Sequence, residues 1–252
     1  EIGIVGGTGG IGRWFAAFFA SDGYPVHVVG RRTDLTLRDL AERCRVVIVA
    51  VPIGVTREVI HRVGPLLDPD ALLMDLTSFK AAPVRAMLDA STADVIGCHP
   101  LFGPDVPSLK GQNVAICPAR GERWLPWLRD LLEKNGARIV ETTPERHDRM
   151  MALVQALNHL DTIALGLTLR EAGVSPADLD PFTTPIFRMK AAIVEKVFGA
   201  SPRLYAELIA GNPYTEELLS IYETQLARLR DLLARKDIDG LAAALNPGKE
   251  SP

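Results

Sequence analysis

The chain has 252 residues, 47% hydrophobic and 23% charged, with a formal net charge of −3. That length suffices for one large domain or two modest ones with a sizeable core. The charge balance excludes a global positive field suited to nucleic acid or anionic lipid. Three widely spaced cysteines with no C-x-x-C argue against a zinc site and for a reducing compartment.

In chain order, the first half alternates short apolar runs with helical patterns. "EIGIV" predicts a strand entered at Glu1 with no Met before it, so upstream residues are expected. "GRWFAAFFASDG" predicts a helix stopped by Gly23, and "PVHVVG" a second strand. A short helix "TLRDLAERC", a strand "RVVIVAVP", a helix "TREVIHRVGPLL", a strand "ALLMDLT" and a helix "KAAPVRAMLDA" follow. The series closes with strands "DVIGCHP" and "NVAICPA", the helix "RWLPWLRDLLEKNG" and the strand "RIVETT". Near-continuous Val/Ile strands alternating with helices predict an α/β domain, Rossmann-type, with a mostly parallel sheet covered on both faces. After Thr143 only helical patterns remain, broken at "GVSPADLDP", "GASP" and "GNP". The expected division is therefore residues 1–143 and an all-helical domain over 144–252, with the tail "NPGKESP" frayed. The apolar stretch "MMALVQALNHLDTIALGLTL" carries Gln155, Asn158, His159, Asp161 and Thr162. Polar groups at mid-span are costly in hydrocarbon, so a protein-buried helix is expected rather than a membrane span.

The first strand and helix are joined by Gly7-Thr8-Gly9-Gly10-Ile11-Gly12, a G-x-G-x-x-G in its required strand–loop–helix context. Gly7 is expected to permit the tight turn, Gly9 to admit a pyrophosphate, and Gly12 to allow close helix–strand packing. The helix N-terminus then offers free N–H groups to phosphates. The second strand ends in "VVGRRTD", with Gly30 where an acidic residue would bind the ribose of NAD. Arg31 and Arg32 suit a 2′-phosphate instead, so NADP is favoured over NAD. The other reading of this pair is a solvated surface doublet. Val51 and Pro52, in "AVP" at the end of the third strand, are small or apolar residues expected beside the cofactor.

Two further strand ends are expected to open onto the same crevice. "MDLTSFK" places Asp75, Thr77, Ser78 and Lys80 there, and "GCHPLFGPD" places His99, with Pro100 denying a helix. A histidine here suits a general base near neutral pH; the rival role is a loop histidine capping backbone carbonyls. Gln155, Asn158, His159 and Thr162 fall at i, i+3, i+4 and i+7 on an apolar helix. Such a stripe must meet partners, water or a ligand, and an internal hydrogen-bond network is the plain alternative.

Together these pieces resemble the prephenate/arogenate dehydrogenase family. The resemblance runs through "GGTGGIGRWFA", "AVPIGVTREVI", "DLTSFK", "GCHPLFGPD", "ERHDRMMALVQALNHL" and "TPIFRMKAAIVEKVFGASPRLYAELI". It implies a Rossmann domain followed by a helical domain that builds a homodimer, in a cytoplasmic enzyme of tyrosine biosynthesis. It also implies that a fused mutase domain can lie upstream. By the same resemblance His99 matches the catalytic histidine, and Ser78 a serine that orients it near the nicotinamide. His159 matches a substrate-side histidine on the helical domain, and Asn158, beside it in the polar stripe, is expected at the substrate too. Lys196 stands where many members carry an arginine that clamps the ring carboxylate. Lysine supplies charge without the planar fork, so Arg188, also matched by arginine, is an alternative clamp. The implied substrate is prephenate, a small anion, oxidised and decarboxylated to 4-hydroxyphenylpyruvate with a nicotinamide cofactor, NADP or NAD, and no metal. Arogenate and 4-amino-4-deoxyprephenate stay open as substrates. So do a dehydrogenase for unrelated small hydroxy acids and a non-catalytic NADP-binding redox sensor.

Overall fold

The computed structural model describes residues 1–245; the tail expected to fray lies outside the described residues. The chain divides into two compact units, Glu1–Met151 with Arg203–Leu208, and Ala152–Pro202 with the chain from Ile209 onward. In this division the helix that follows the last strand goes with the first unit.

In the first unit, strands β1 (Ile2–Val5), β2 (Val26–Val29), β3 (Val46–Val49), β4 (Leu72–Asp75), β5 (Asp94–Pro100), β6 (Asn113–Arg120) and β7 (Arg138–Glu141) form one sheet. The helices between them are α1 (Gly10–Ser21), α2 (Leu37–Arg43), α3 (Ile53–Val63), α4 (Ala81–Ala90) and α5 (Trp124–Lys134), and α6 (Pro144–Met151) follows β7. The strand order is β2-β1-β3-β4-β5-β6-β7. All neighbours pair in parallel except β5 and β6, where His99 lies opposite Ala115 in an antiparallel ladder. The chain steps from β1 outward to β2 and then returns to β3 on the other side of β1. This is the topological switch point at which open α/β sheets bind ligands, beyond the carboxyl ends of their strands.

Alternation along each strand builds a core on both faces. Ile2, Ile4, Ile48 and Met74 pack with Phe15 and Phe19 of α1 and with Leu128 and Leu132 of α5. Val5, Val47, Val49 and Leu73 pack on the other side with Leu40 of α2, Ile60 of α3 and Met87 of α4. Strands apolar on both sides explain why they read as continuous runs rather than as alternating ones.

In the second unit a π-helical stretch, Ala152–Leu157, leads into α7 (Asn158–Glu171). Then come α8 (Pro176–Leu179), α9 (Pro185–Gly199), α10 (Pro202–Ala210), α11 (Thr215–Ala234) and α12 (Ile238–Leu245), with α10 contributing Arg203–Leu208 to the first unit. Gly166 lets α7 and α9 approach: a Cβ there would stand 2.4 Å from the Phe198 ring. Arg170 lies over the same ring, 5.5 Å from its centroid. The tyrosine hydroxyl of Tyr222 on α11 donates to Asp161 on α7. The helical run Pro144–Glu171, 28 residues, is long and apolar enough to cross a bilayer by length and composition. It is not buried on every face as expected, since Leu153, Val154 and Leu167 are exposed.

Candidate active site

The glycine loop follows β1 directly. The left-handed turn is taken by Gly6, at φ +86°, and not by Gly7 as the motif spacing suggested. Any Cβ at Gly6 would also strike the Ala50 carbonyl at 2.5 Å, because the ends of β1 and β3 abut at the switch point. Gly7 is required for another reason: a Cβ there would meet the Val28 side chain at 2.8 Å. Gly12 behaves as expected, its Cβ position lying 2.5 Å from the Gly6 carbonyl oxygen where α1 crosses the loop. Gly9 is different. Its Cβ position meets nothing closer than the Gly6 oxygen at 3.4 Å, so its bareness leaves open the approach from outside.

Gly9 is also the N-cap of α1, with no side-chain cap and no acidic residue in the first turn. The first N–H groups of the helix are therefore offered outward, with the positive end of the helix dipole behind them. Thr8, Gly9 and Gly10 are exposed and Ile11 is half-buried. Arg13 donates to the Thr8 carbonyl at 2.9 Å and braces the loop. This cradle fits a dinucleotide pyrophosphate. Gly30, at the end of β2, faces the same loop: a Cβ there would stand 2.9 Å from the Thr8 hydroxyl oxygen. Thr33 closes the turn by accepting from the Gly30 N–H at 2.9 Å. That turn presents Arg31 and Arg32, both exposed and neither in an ion pair among the described residues. Val51 is half-buried and Pro52, the N-cap of α3, is exposed at the end of β3.

His99 lies at the carboxyl end of β5, on the same edge of the sheet as the glycine loop, since β1, β3, β4 and β5 run parallel. It is a strand residue rather than a loop residue, and only 4% exposed. The segment leaving β5 ties back to the cofactor cradle. The indole N–H of Trp14 on α1 donates to the Val106 carbonyl at 2.8 Å, and a Cβ at Gly10 would touch Pro104 at 3.3 Å.

The immediate partner of His99 is His147 on α6, whose Nε2 stands 2.9 Å from His99 Nδ1. Nδ1 of His147 is in turn 2.8 Å from Oδ1 of Asp148. Asp148 also accepts the backbone N–H of Lys80 at 2.8 Å and of Ala81 at 2.9 Å, so it caps α4, whose own N-cap residue supplies no side chain. Burial, then the neighbouring His147 and Lys80, hold the His99 imidazole well below its usual titration range. His99 is accordingly neutral near pH 7, the form in which it accepts a proton.

Ser78, matched to a serine that orients His99, is half-buried, and its hydroxyl makes no hydrogen bond to His99 among the described residues; His147 does. Lys80 and Asp75 do not line the crevice as expected. Both are fully buried and form an ion pair, and Lys80 Nζ also donates to the Cys98 carbonyl at 2.7 Å. The physical reason is mutual neutralisation: each charge satisfies the other, and together they stitch the loop after β4 to β5. The cysteine thiols are buried and free, with Cys98 and Cys117 pushed up to about 12 and Cys44 to about 11 by desolvation.

The remaining candidates belong to the second unit. Asn158 is exposed, and Thr162 donates to its carbonyl at 2.9 Å. His159 is half-buried, and burial lowers its titration range. Gln155 carries a buried side-chain oxygen with no hydrogen-bond partner. Arg188 and Lys196 are both exposed on α9. Arg188, 3.9 Å from Asp180, helps line a cleft of about 660 Å³ between α7 and α9, together with Arg170 and Phe187. Lys196 does not line that cleft.

Sequence reasoning passed over Gly6, His147 and Asp148 as functional positions. The signal for the pair was the adjacent His-Asp at the head of an apolar helix.

Two family models match the chain. Residues 24–141 match the prephenate dehydrogenase nucleotide-binding domain, and residues 143–247 match the prephenate dehydrogenase dimerization domain. The first match begins after the glycine loop, so that loop stands on its own geometry. A probable arogenate/prephenate dehydrogenase of Methanocaldococcus jannaschii is 35% identical over 95% of this chain and 58% of its own length. The T-protein of Haemophilus influenzae is 37% identical over 89% of this chain and 59% of its own. The chain thus spans about three fifths of the length of these curated relatives. A crystal structure of prephenate dehydrogenase from A. aeolicus, in complex with hydroxyphenyl propionate and NAD+, superposes with a TM-score of 0.80 at 20% identity, covering 98% of this chain and 94% of that one. At that identity the likeness is one of fold.

Proposed function

The chain belongs to the prephenate/arogenate dehydrogenase family, and we propose that it oxidises and decarboxylates prephenate to 4-hydroxyphenylpyruvate in the cytoplasm, preferring NADP. The observation that carries this reading is His99: a buried, neutral imidazole, hydrogen-bonded on one nitrogen, on the strand edge that also bears an open dinucleotide cradle.

When bound, the nicotinamide supplies the hydride acceptor. The chain's own residues do the rest. The loop from Gly7 to Gly12 and the N-terminus of α1 hold the pyrophosphate. Val51, Pro52 and Ser78 border the cofactor. Arg31 and Arg32 read the 2′-phosphate through charge-assisted hydrogen bonds. His99 accepts the ring hydroxyl's proton as that carbon becomes a carbonyl. Loss of carbon dioxide then makes the ring aromatic, which renders the reaction effectively irreversible. His159, Lys196 and Arg188 are assigned to the substrate by their match to the family, and Asn158 by its place in the polar stripe beside His159. No metal is called for, because the cofactor is the electron sink.

In this reading residues 1–143 are the nucleotide-binding domain and residues 144–252 the substrate and dimerisation domain. Phe182, Ile186, Met189 and Leu233 are large apolar residues left exposed in the second unit, with Phe182 at 84%. A homodimer that covers them supports the same reading.

The test is a turnover matrix of prephenate and arogenate, each with NAD and NADP. Highest kcat/KM for prephenate with NADP is expected. Turnover of arogenate alone would move the assignment to that substrate, and no turnover of either would overturn it.

A further inference from the structure

His99 has two nitrogens, and only the one without a proton can accept another. The structure carries a chain of donors and acceptors that decides which nitrogen that is. It starts at Asp148. Its Oδ1 accepts the Lys80 N–H and its Oδ2 the Ala81 N–H, and backbone amides can only donate. Both oxygens therefore act as acceptors, at the N-terminus of α4 where the helix dipole favours the carboxylate. His147 Nδ1, 2.8 Å from Oδ1, must then be the donor. A neutral His147 with its proton on Nδ1 has a bare Nε2. That Nε2 is 2.9 Å from His99 Nδ1, which must carry the proton between them. The lone pair of His99 is thereby left on Nε2.

We propose that His147 and Asp148 are positioning residues for His99, and that the chain Asp148–His147–His99 holds His99 as the Nδ1–H tautomer, with Nε2 as the proton-accepting atom. This rests on the reading of His99 as the proton acceptor. Nothing is consumed: Nε2 takes the substrate's hydroxyl proton, and the new imidazolium charge is shared through His147 toward the Asp148 carboxylate. Asp148 and His147 are adjacent on α6, and both are almost fully buried. The relay is therefore shielded from water that would otherwise randomise the tautomer. It also gives a physical reason for a His-Asp pair 48 residues from His99 in the chain.

Two measurements test this, and the first needs no substrate. Nitrogen NMR of histidine-labelled full-length protein, with the His99 signals assigned by their loss in His99→Asn, reports which ring nitrogens carry protons. At neutral pH, His99 and His147 are each expected to be protonated on Nδ1 and bare on Nε2. A proton on Nε2 of His99, or a doubly protonated His147, overturns the proposal even if the enzyme is active. The second measurement compares His147→Leu with His147→Gln, whose side-chain carbonyl can still accept from His99. Turnover of prephenate by the leucine variant is expected to fall about 100-fold, with KM for the cofactor within about twofold. The glutamine variant is expected to recover at least about tenfold of that loss. A folded leucine variant with wild-type kcat, or equal losses in both variants, overturns the positioning role. Wild-type protein inactive on every dehydrogenase substrate would instead remove the proposed function, and the tautomers would still be read.

Discussion

Lys80 Nζ donates to the carbonyl of Cys98, the residue before His99, at 2.7 Å, so a fully buried ammonium pins the strand that carries the candidate base. The same ammonium is paired with Asp75, whose second oxygen has no partner. A charge placed there has no escape to water, and breaking such a pair leaves its partner uncompensated. Lys80→Met is expected to lower unfolding stability by about 3–5 kcal/mol. Chemical denaturation checks it, and Lys80→Met with Asp75→Leu should restore most of the loss. A single variant as stable as the wild type would show that the pair is not held as charges.

The glycines of the loop separate into two kinds. A Cβ at Gly12 would press on the Gly6 carbonyl at 2.5 Å, while one at Gly9 is met only at 3.4 Å. Gly12→Ala is therefore expected to lower the melting temperature. Gly9→Ala should cost no more than about 1 kcal/mol as a poorer N-cap, yet weaken NADP binding at least about tenfold by standing where the pyrophosphate approaches. Thermal melts and cofactor titration separate the two. Unaltered affinity in Gly9→Ala would place the phosphates elsewhere.

The exposed Arg31 and Arg32 bear on cofactor choice. Charge-assisted hydrogen bonds to a phosphate contribute about 2 kcal/mol, which is about 30-fold in Kd. Arg31→Ala with Arg32→Ala is expected to weaken NADP by about that factor and NAD by less than about threefold. Isothermal titration gives both constants, and equal losses would refute the phosphate assignment.

The pH dependence follows from the buried state of His99. Its pKa in the folded chain lies below the usual imidazole value of 6.5, through burial first and then through His147 and Lys80. Below that value the unfolded chain binds a proton that the folded chain refuses, so stability falls as pH drops through this window and is fully present above it. His99→Gln should flatten the slope of unfolding free energy between about pH 6.5 and 5. An unchanged slope would mean that His99 is not held neutral by the fold.

Much of the fold was legible from residue order alone. Continuous Val/Ile strands between amphipathic helices placed all seven strands and the switch to helices, because a sheet buried on both faces leaves that pattern. The antiparallel pairing of β5 and β6 was not seen, since "NVAICPA" reads alike in either direction. A cue existed in the lack of a helix between Pro100 and Asn113, where a parallel crossover would need one. The position of His99 at a strand end was readable, but its partner was not. His147 lies 48 residues away, and a hydrogen bond across that distance leaves no local periodicity. Lys80 looked like a crevice residue for the same reason: one lysine after an apolar strand gives no sign that its charge is matched inside the core.

In the proposed reaction His99 takes the hydroxyl proton, so the most direct measurement is prephenate turnover by His99→Ala beside its NADP affinity. A fall in kcat of at least about 100-fold is expected, with Kd for NADP within about threefold of wild type. Undiminished turnover would contradict the account, and so would an inactive variant that had also lost the cofactor.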